Sequence, residues 1–301
     1  MSELADHLRK DLKLLSSDSL FIISLIMLAV IAFIMAFEAS WAYVDSSWSY
    51  YSVLTTRSII ERRQVNTLED YWTSLCNMYS VLLVIVASML LTSEKESGMV
   101  SFILTLKTRK WQFYLSKFLM LTGVAAFTVT ASMLAYLIVF SSMDVPFLGV
   151  VDVLSSMLLP FLVIMTFCSI GLMASALVKK KGAAIALAVV LYLVITMVYA
   201  SATSMGESIA YDDPDFDYSE DDFVDFVPLE YKILIYANPW VLINGRADYL
   251  GMWEGAALGL CMIAFFLVLG SVLFARERTE RGLFKDLIGR TRRSEGGVPK
   301  K

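Results

Sequence analysis

The sequence predicts an all-α integral membrane protein with six transmembrane helices and both termini cytoplasmic. Three observations carry that prediction. Hydrophobic residues make up 57% of the 301 positions and charged residues only 18%, far from the balance of a water-soluble domain. Six segments, 20–37, 71–92, 118–143, 153–178, 182–205 and 255–275, contain no Asp, Glu, Lys, Arg or His. At ~1.5 Å per residue they cross, or nearly cross, ~30 Å of hydrocarbon. Finally, 20 of the 25 Lys and Arg residues fall in alternate connections and at the two ends of the chain, and such residues accumulate on the cytoplasmic side.

Taken in chain order, each element has its own reason. Residues 1–18 place Leu4, Leu8, Leu12 and Leu15 in one sector of a helical wheel and Asp6, Arg9, Lys10 and Lys13 on the far side. That is the pattern of an amphipathic helix lying in the membrane interface. The first span, 20–37, is longer than the apolar core of a signal peptide and no small-residue cleavage pattern follows it, so it is expected to be retained. Arg57, Arg62 and Arg63 follow on the outer side. The second span, 71–92, carries Ser, Thr and Asn ("YWTSLCNMYSVLLVIVASM"), which suit either a path-lining helix or one that hydrogen-bonds to its neighbours.

Residues 93–112 interrupt the apolar chain with a dense group of charges. Within them Met99, Phe102, Ile103 and Leu106 recur at i, i+3, i+4 and i+7, while Ser101, Thr105 and Thr108 lie opposite with Arg109 beside them. The spacing predicts a short cytoplasmic amphipathic helix between spans two and three. Such a helix rests in the interface or presents its apolar side to a soluble partner.

Spans three and four, 118–143 and 153–178, precede Lys179, Lys180 and Lys181, a short basic connection into the fifth span, 182–205. Residues 206–254 form an acidic external loop, with ten carboxylates from Glu207 to Glu230. Clustered oxygen ligands suit calcium, but a twelve-residue calcium loop starting at Asp213 would have Tyr218 where glycine is required and Val224 where the bidentate acid belongs. The acidic loop therefore reads as a solvated face. Gly251, Gly255 and Gly259, at the outer end of the sixth span (255–275), and Ala184 and Ala188 in the fifth repeat at the small-xxx-small spacing that permits close helix packing, within the chain or between subunits. The tail, 276–301, is basic, with nine Lys and Arg residues.

Several chemistries are excluded or disfavoured. The three cysteines each lie in a different span, and the single histidine, His7, lies outside all of them. Neither a disulfide framework nor a histidine-based metal or hydrolytic site can be assembled from these residues. The chain has no G-x-x-x-x-G-K-[ST] phosphate loop, so it is not expected to be an enzyme that hydrolyses ATP. The charge-free spans also lack the carboxylates and histidines by which ion-coupled carriers and proton pumps bind or relay ions. An ion-coupled secondary transporter using backbone ion sites, and a non-transporting membrane scaffold, stand as alternatives to a transporter powered from outside.

The stretch "SEKESGMVSFILTLKTRKWQFYLSKFLM" resembles the segment that follows the second span in permease subunits of ABC transporters of the type-2 export family. An acidic pair around a basic residue and a glycine (Glu94, Glu96, Gly98), a hydrophobic stretch (Phe102 to Leu106), a basic turn (Arg109, Lys110) and Lys117 follow the family's order. "VKKKGAAIALA" and "YANPW" (Tyr236 to Trp240) are similar to family features further along. Met99 stands where Thr is commoner.

The resemblance implies that residues 1–301 form one permease domain, half of a translocation pathway, in a prokaryotic cell membrane. It implies a cytoplasmic ABC ATP-binding subunit and a second permease subunit, identical or related, as partners alongside the lipid bilayer, with no nucleic acid. No cofactor is expected on this chain; ATP and Mg belong on the ATP-binding partner. The helix within 93–112 would be a coupling helix. Glu94 and Glu96 would lie near its N-terminal end, where the macrodipole favours negative charge by ~0.3–1 kcal/mol, and Gly98 would permit the sharp turn out of the second span. Phe102, Ile103 and Leu106 would be buried at the membrane or partner surface, and Arg109 and Lys110 would contact the ATPase or lipid headgroups.

Overall fold

The computed structural model describes residues 19–48, 57–98, 100, 110–142, 149–212, 223–244 and 250–276. Met99, Phe102, Ile103, Leu106 and Arg109 of the expected coupling helix, the N-terminal helix of 1–18 and the basic tail beyond Arg276 lie outside the described residues. The described residues are helical, with no strand among them. We number the helices α1 (Ser19–Trp48), α2 (Arg57–Glu96), α3 (Lys110–Ser142), α4 (Val150–Ser156), α5 (Leu158–Leu177), α6 (Lys181–Tyr211), α7 (Phe223–Phe226), α8 (Leu229–Tyr236), α9 (Val241–Asn244) and α10 (Met252–Arg276). Six stretches within them, with α4 and α5 counted as one, are long and apolar enough to cross a membrane.

The helices outrun the charge-free segments. α2 has 40 residues, a length of roughly 60 Å, or about twice the hydrocarbon thickness, and it begins at Arg57 rather than near Tyr71. α3 begins at Lys110, eight residues before the apolar segment, and α1 continues past Glu38 and Asp45 to Trp48. The reason is that backbone hydrogen bonding has no cause to stop where lipid gives way to water, whereas hydropathy registers only that boundary. The fourth span is interrupted at Met157, between α4 and α5. Pro160 has no N–H for the carbonyl four residues before it, which places it comfortably in the first turn of a new helix.

α5 is the centre of the bundle. It packs against α2, α10, α6 and α3, whereas α1 packs on α2 and α3 at the edge. α5 and α2 approach closely: a Cβ on Gly171 would lie 2.5 Å from the Val84 carbonyl oxygen and 2.9 Å from the Ala87 Cβ. Glycine at that position lets two backbones meet.

The segment expected as an external loop also contributes to the core. α8 and α9 are joined through Ala237 to Trp240, and this turn is inserted between α5 and α6. Asn238 Nδ2 donates to the Ile195 carbonyl at 2.7 Å, and Trp240 Nε1 donates to Thr196 Oγ1 at 3.0 Å, at the midpoint of α6. The Trp240 ring packs on Phe167 and Tyr192 with centroids 5.1 and 6.2 Å apart. A buried indole and amide at that depth need partners for their N–H groups, and α6 supplies both.

Candidate functional site

The charged residues gather where α2 and α5 end and α6 begins, beside Lys110 of α3 and Ala275 of α10. α2 terminates because Gly98 turns the chain: its φ is +71°, in the left-handed region, and its N–H donates to the Lys95 carbonyl at 3.2 Å. This is a helix end of the kind glycine favours. Three consecutive residues of the last turn, Glu94, Lys95 and Glu96, each reach a different helix.

Glu94 reaches α3. Its Oε1 accepts from Lys117 Nζ at 2.7 Å, in an ion pair whose side chains are only 9% and 2% exposed. The Lys117 ammonium also lies 4.9 Å from the centroid of the Phe113 ring, a cation–π contact that helps to solvate a buried charge. Glu94 Oε2 has no hydrogen-bond partner among the described residues.

Lys95 reaches α5. Its ammonium donates to the carbonyls of Ser175, Ala176 and Val178 at 3.0, 3.0 and 3.2 Å, and it sits 5.6 Å from the Phe274 ring centroid of α10. The carbonyls at a helix C-terminus lack intrahelical donors and carry the negative end of the macrodipole, so an ammonium suits them on both counts. Glu96 reaches α6, where its Oε1 accepts the Lys181 backbone N–H at 2.6 Å. No side chain of that helix's own first turn caps it, and a carboxylate at its positive end is favourable. Lys110 adds a fourth connection, donating to the Ala275 carbonyl of α10 at 3.1 Å.

These positions revise the expectation for the two glutamates. Glu94 and Glu96 were expected near the start of the following helix, but both lie in the last turn of α2, at the dipole end that disfavours negative charge. What stabilises them comes from other helices: Lys117 for Glu94 and the N-terminus of α6 for Glu96. Lys110, expected against an ATPase or lipid headgroups, donates to the Ala275 carbonyl of its own chain.

Gly255 and Gly259 meet Leu159 and Leu162 of α5 and Leu242 of α9, whereas among the described residues Gly251 is near only the Glu254 carboxylate of its own helix end. The two inner glycines thus serve packing within the chain. Lys95, Lys117 and Phe274 were not singled out as site residues from sequence. Lys117 had a legible signal, as a lone charge against an otherwise apolar run. Lys95 was legible only as the basic residue between the acidic pair of the motif; its partners, backbone carbonyls 80 and more residues away, were not.

Elsewhere, a cavity of about 270 Å³ opens between α6 and α8, lined by Met197, Val198, Ser201, Ala202, Met205, Tyr231 and Leu234. No group of three or more His, Cys, Asp or Glu residues among the described residues is arranged to hold a metal ion. The chemistry of the charged end is thus the fastening of helix ends to one another.

The sequence model of one protein family, described as ABC-2 family transporter protein, matches residues 49–216. The match covers over half of the chain, from before α2 to beyond α6, and so includes Glu94, Lys95, Glu96, Lys117 and Lys181. Among curated proteins none matches the chain.

Proposed function

Since the chain belongs to the ABC-2 family of transporter proteins, whose members are the transmembrane and not the nucleotide-binding component, we propose that it is the permease subunit of an ATP-driven exporter. It forms half of a translocation pathway in a prokaryotic cell membrane, pairs with a second permease subunit, identical or related, and is driven by a cytoplasmic ATP-binding subunit that carries the ATP and Mg. Both termini and the charged end of the bundle face the cytoplasm, and residues 93–112 form the coupling segment.

One observation supports this reading most. The last turn of α2, from which the coupling segment departs, is fastened by three successive side chains to α3, α5 and α6. A push on that segment reaches four of the six spans through bonds no longer than 3.2 Å. In this scheme Phe102, Ile103 and Leu106 form the apolar face toward the ATPase, Arg109 stands at its edge, Glu94, Glu96 and Lys110 transmit its movement, and Gly98 sets the angle at which it leaves α2.

The sidedness has a direct test. Single cysteines at Ser58, Asp144 and Ser219 are expected to react with an impermeant thiol reagent in intact cells, while those at Ser101 and Ser294 remain unlabelled, because basic residues mark the cytoplasmic side. Labelling of Ser101→Cys from outside would remove the basis for a coupling role.

The coupling itself is tested by co-purification. The wild-type chain is expected to carry an ATP-binding subunit through detergent extraction, and ATP hydrolysis is expected only with that subunit present. Phe102→Asp places a charge at the centre of the apolar face, where a buried unpaired charge costs several kcal/mol, so the variant should insert at normal levels but lose the partner. Retention of the partner by Phe102→Asp would make the segment a membrane anchor. Transport by the chain alone, driven by an ion gradient in vesicles, would replace the exporter with a secondary carrier.

A further inference from the structure

The side chain with the widest reach at the charged end is Lys95. Two helices, α2 and α5, finish there beside Phe274 of α10, so two negative dipole ends converge. Its ammonium joins the three helices: it belongs to α2, caps the last carbonyls of α5 and lies over Phe274 of α10. Its stem leaves α2 three residues before the Gly98 turn. α5 is the most enclosed span, with 83% of the apolar window it shares with α4 buried, and it touches α2, α3, α6 and α10.

Ser175 and Ala176, whose carbonyls Lys95 caps, are 0% and 5% exposed, so the donors that these last carbonyls lack within their own helix come from Lys95 and not readily from water. Three donated bonds from a neighbouring helix therefore do something that solvent would not: they tie the movement of α5 to the turn that ends α2.

We propose that Lys95 is a positioning residue for transport, pinning the end of the central helix α5, together with α10, to the turn from which the coupling segment departs. Nucleotide-driven movement of that segment then displaces α2, α5 and α10 as one body. Without the pin, α2 shifts while α5 stays behind. The proposal rests on the permease reading above, and its test separates the two.

The experiment uses the complex of the chain with its co-purifying ATP-binding subunit, in a Cys261→Ser background because Cys261 is the exposed native cysteine. A reporter cysteine is introduced by Val151→Cys on α4, at the far end of the same span, where the side chain is 77% exposed. The readout is its rate of thiol labelling with and without ATP and vanadate. In the otherwise wild-type complex ATP is expected to change that rate. Lys95→Met keeps the length of the side chain and removes its charge. It should retain the partner and ATP hydrolysis yet diminish the ATP-dependent change about tenfold, the factor that one hydrogen bond to a charged group contributes to an equilibrium. Lys95→Arg, which still donates to carbonyls, should restore the response.

An ATP response in Lys95→Met equal to that of wild type would overturn the proposal and leave the permease reading intact. Absence of any ATP-binding partner or any ATP response in the wild-type chain would overturn the permease reading, and the proposal with it. Failure of Lys95→Met and Lys95→Gln to yield folded protein would assign Lys95 to folding alone and overturn the positioning role.

Discussion

Lys117→Met is expected to destabilise the protein by about 3–5 kcal/mol, because removing one partner of a buried ion pair leaves the other charge uncompensated. Lys117 is 2% exposed and its partner Glu94 9%, so solvent screening does not reduce the effect much. Glu94 has no second partner to fall back on, since its Oε2 already lacks one among the described residues. The double variant Glu94→Gln, Lys117→Met removes both charges and is expected to recover most of the loss, as neutral replacement of buried pairs often does. The measurement is a double-mutant cycle on unfolding of the purified protein in detergent. Additive losses across the cycle would mean that the two residues do not interact, and Glu94 would have to be fastened by something else. The cycle also bears on function, because Glu94–Lys117 is the first in chain order of the three side-chain connections between the end of α2 and its neighbours.

Gly171→Val is expected to prevent normal packing of the bundle. Its Cβ alone would stand 2.5 Å from a backbone carbonyl of α2 and 2.9 Å from the Cβ of Ala87, and neither atom can rotate away. Overpacking of a tight core costs about 1–3 kcal/mol and occasionally more; a branched side chain wedged between two backbones belongs at the upper end. Gly123→Ala in α3 supplies the contrast. Nothing lies within 4 Å of a Cβ there, so the exchange should stabilise by up to about 1 kcal/mol through the helix propensity of alanine over glycine. Opposite signs for the two variants in one unfolding assay are the expected result. A Gly171→Val protein as stable as wild type would mean that α2 and α5 do not approach as described.

The three-residue charged turn shows how far the residues alone could be followed. "SEKESG" announced a helix end with charges beside a glycine, and Gly98 does turn the chain with a positive φ. Which helix those charges belonged to was not legible, because a glycine can close the helix before it as readily as it can open the one after. The ladder of α2 continues to Glu96, and so Glu94 and Glu96 became C-terminal residues. Their partners lie 23 and 85 residues away, beyond the reach of any local pattern.

Composition and the distribution of charge were enough for an all-helical chain with six apolar crossings, and the family resemblance for the glycine that ends α2. Both follow from local requirements: a backbone in hydrocarbon must bond to itself, and a left-handed turn favours glycine. The rank of the crossings was not available in the same way. α1 is at least as apolar as α5, yet 17% of its apolar window is buried against 83% for α4 and α5 together. Lipid and protein interior are equally welcoming to an apolar side chain, so hydropathy marks a crossing without saying what surrounds it. Shape and polar pairing decide that. Gly171 lets α2 come close, Gly255 and Gly259 admit α5 and α9, Trp240 finds Thr196, and Lys95 finds the end of α5; each is an encounter between residues distant in the chain, and the centre of the bundle is where the most of them meet.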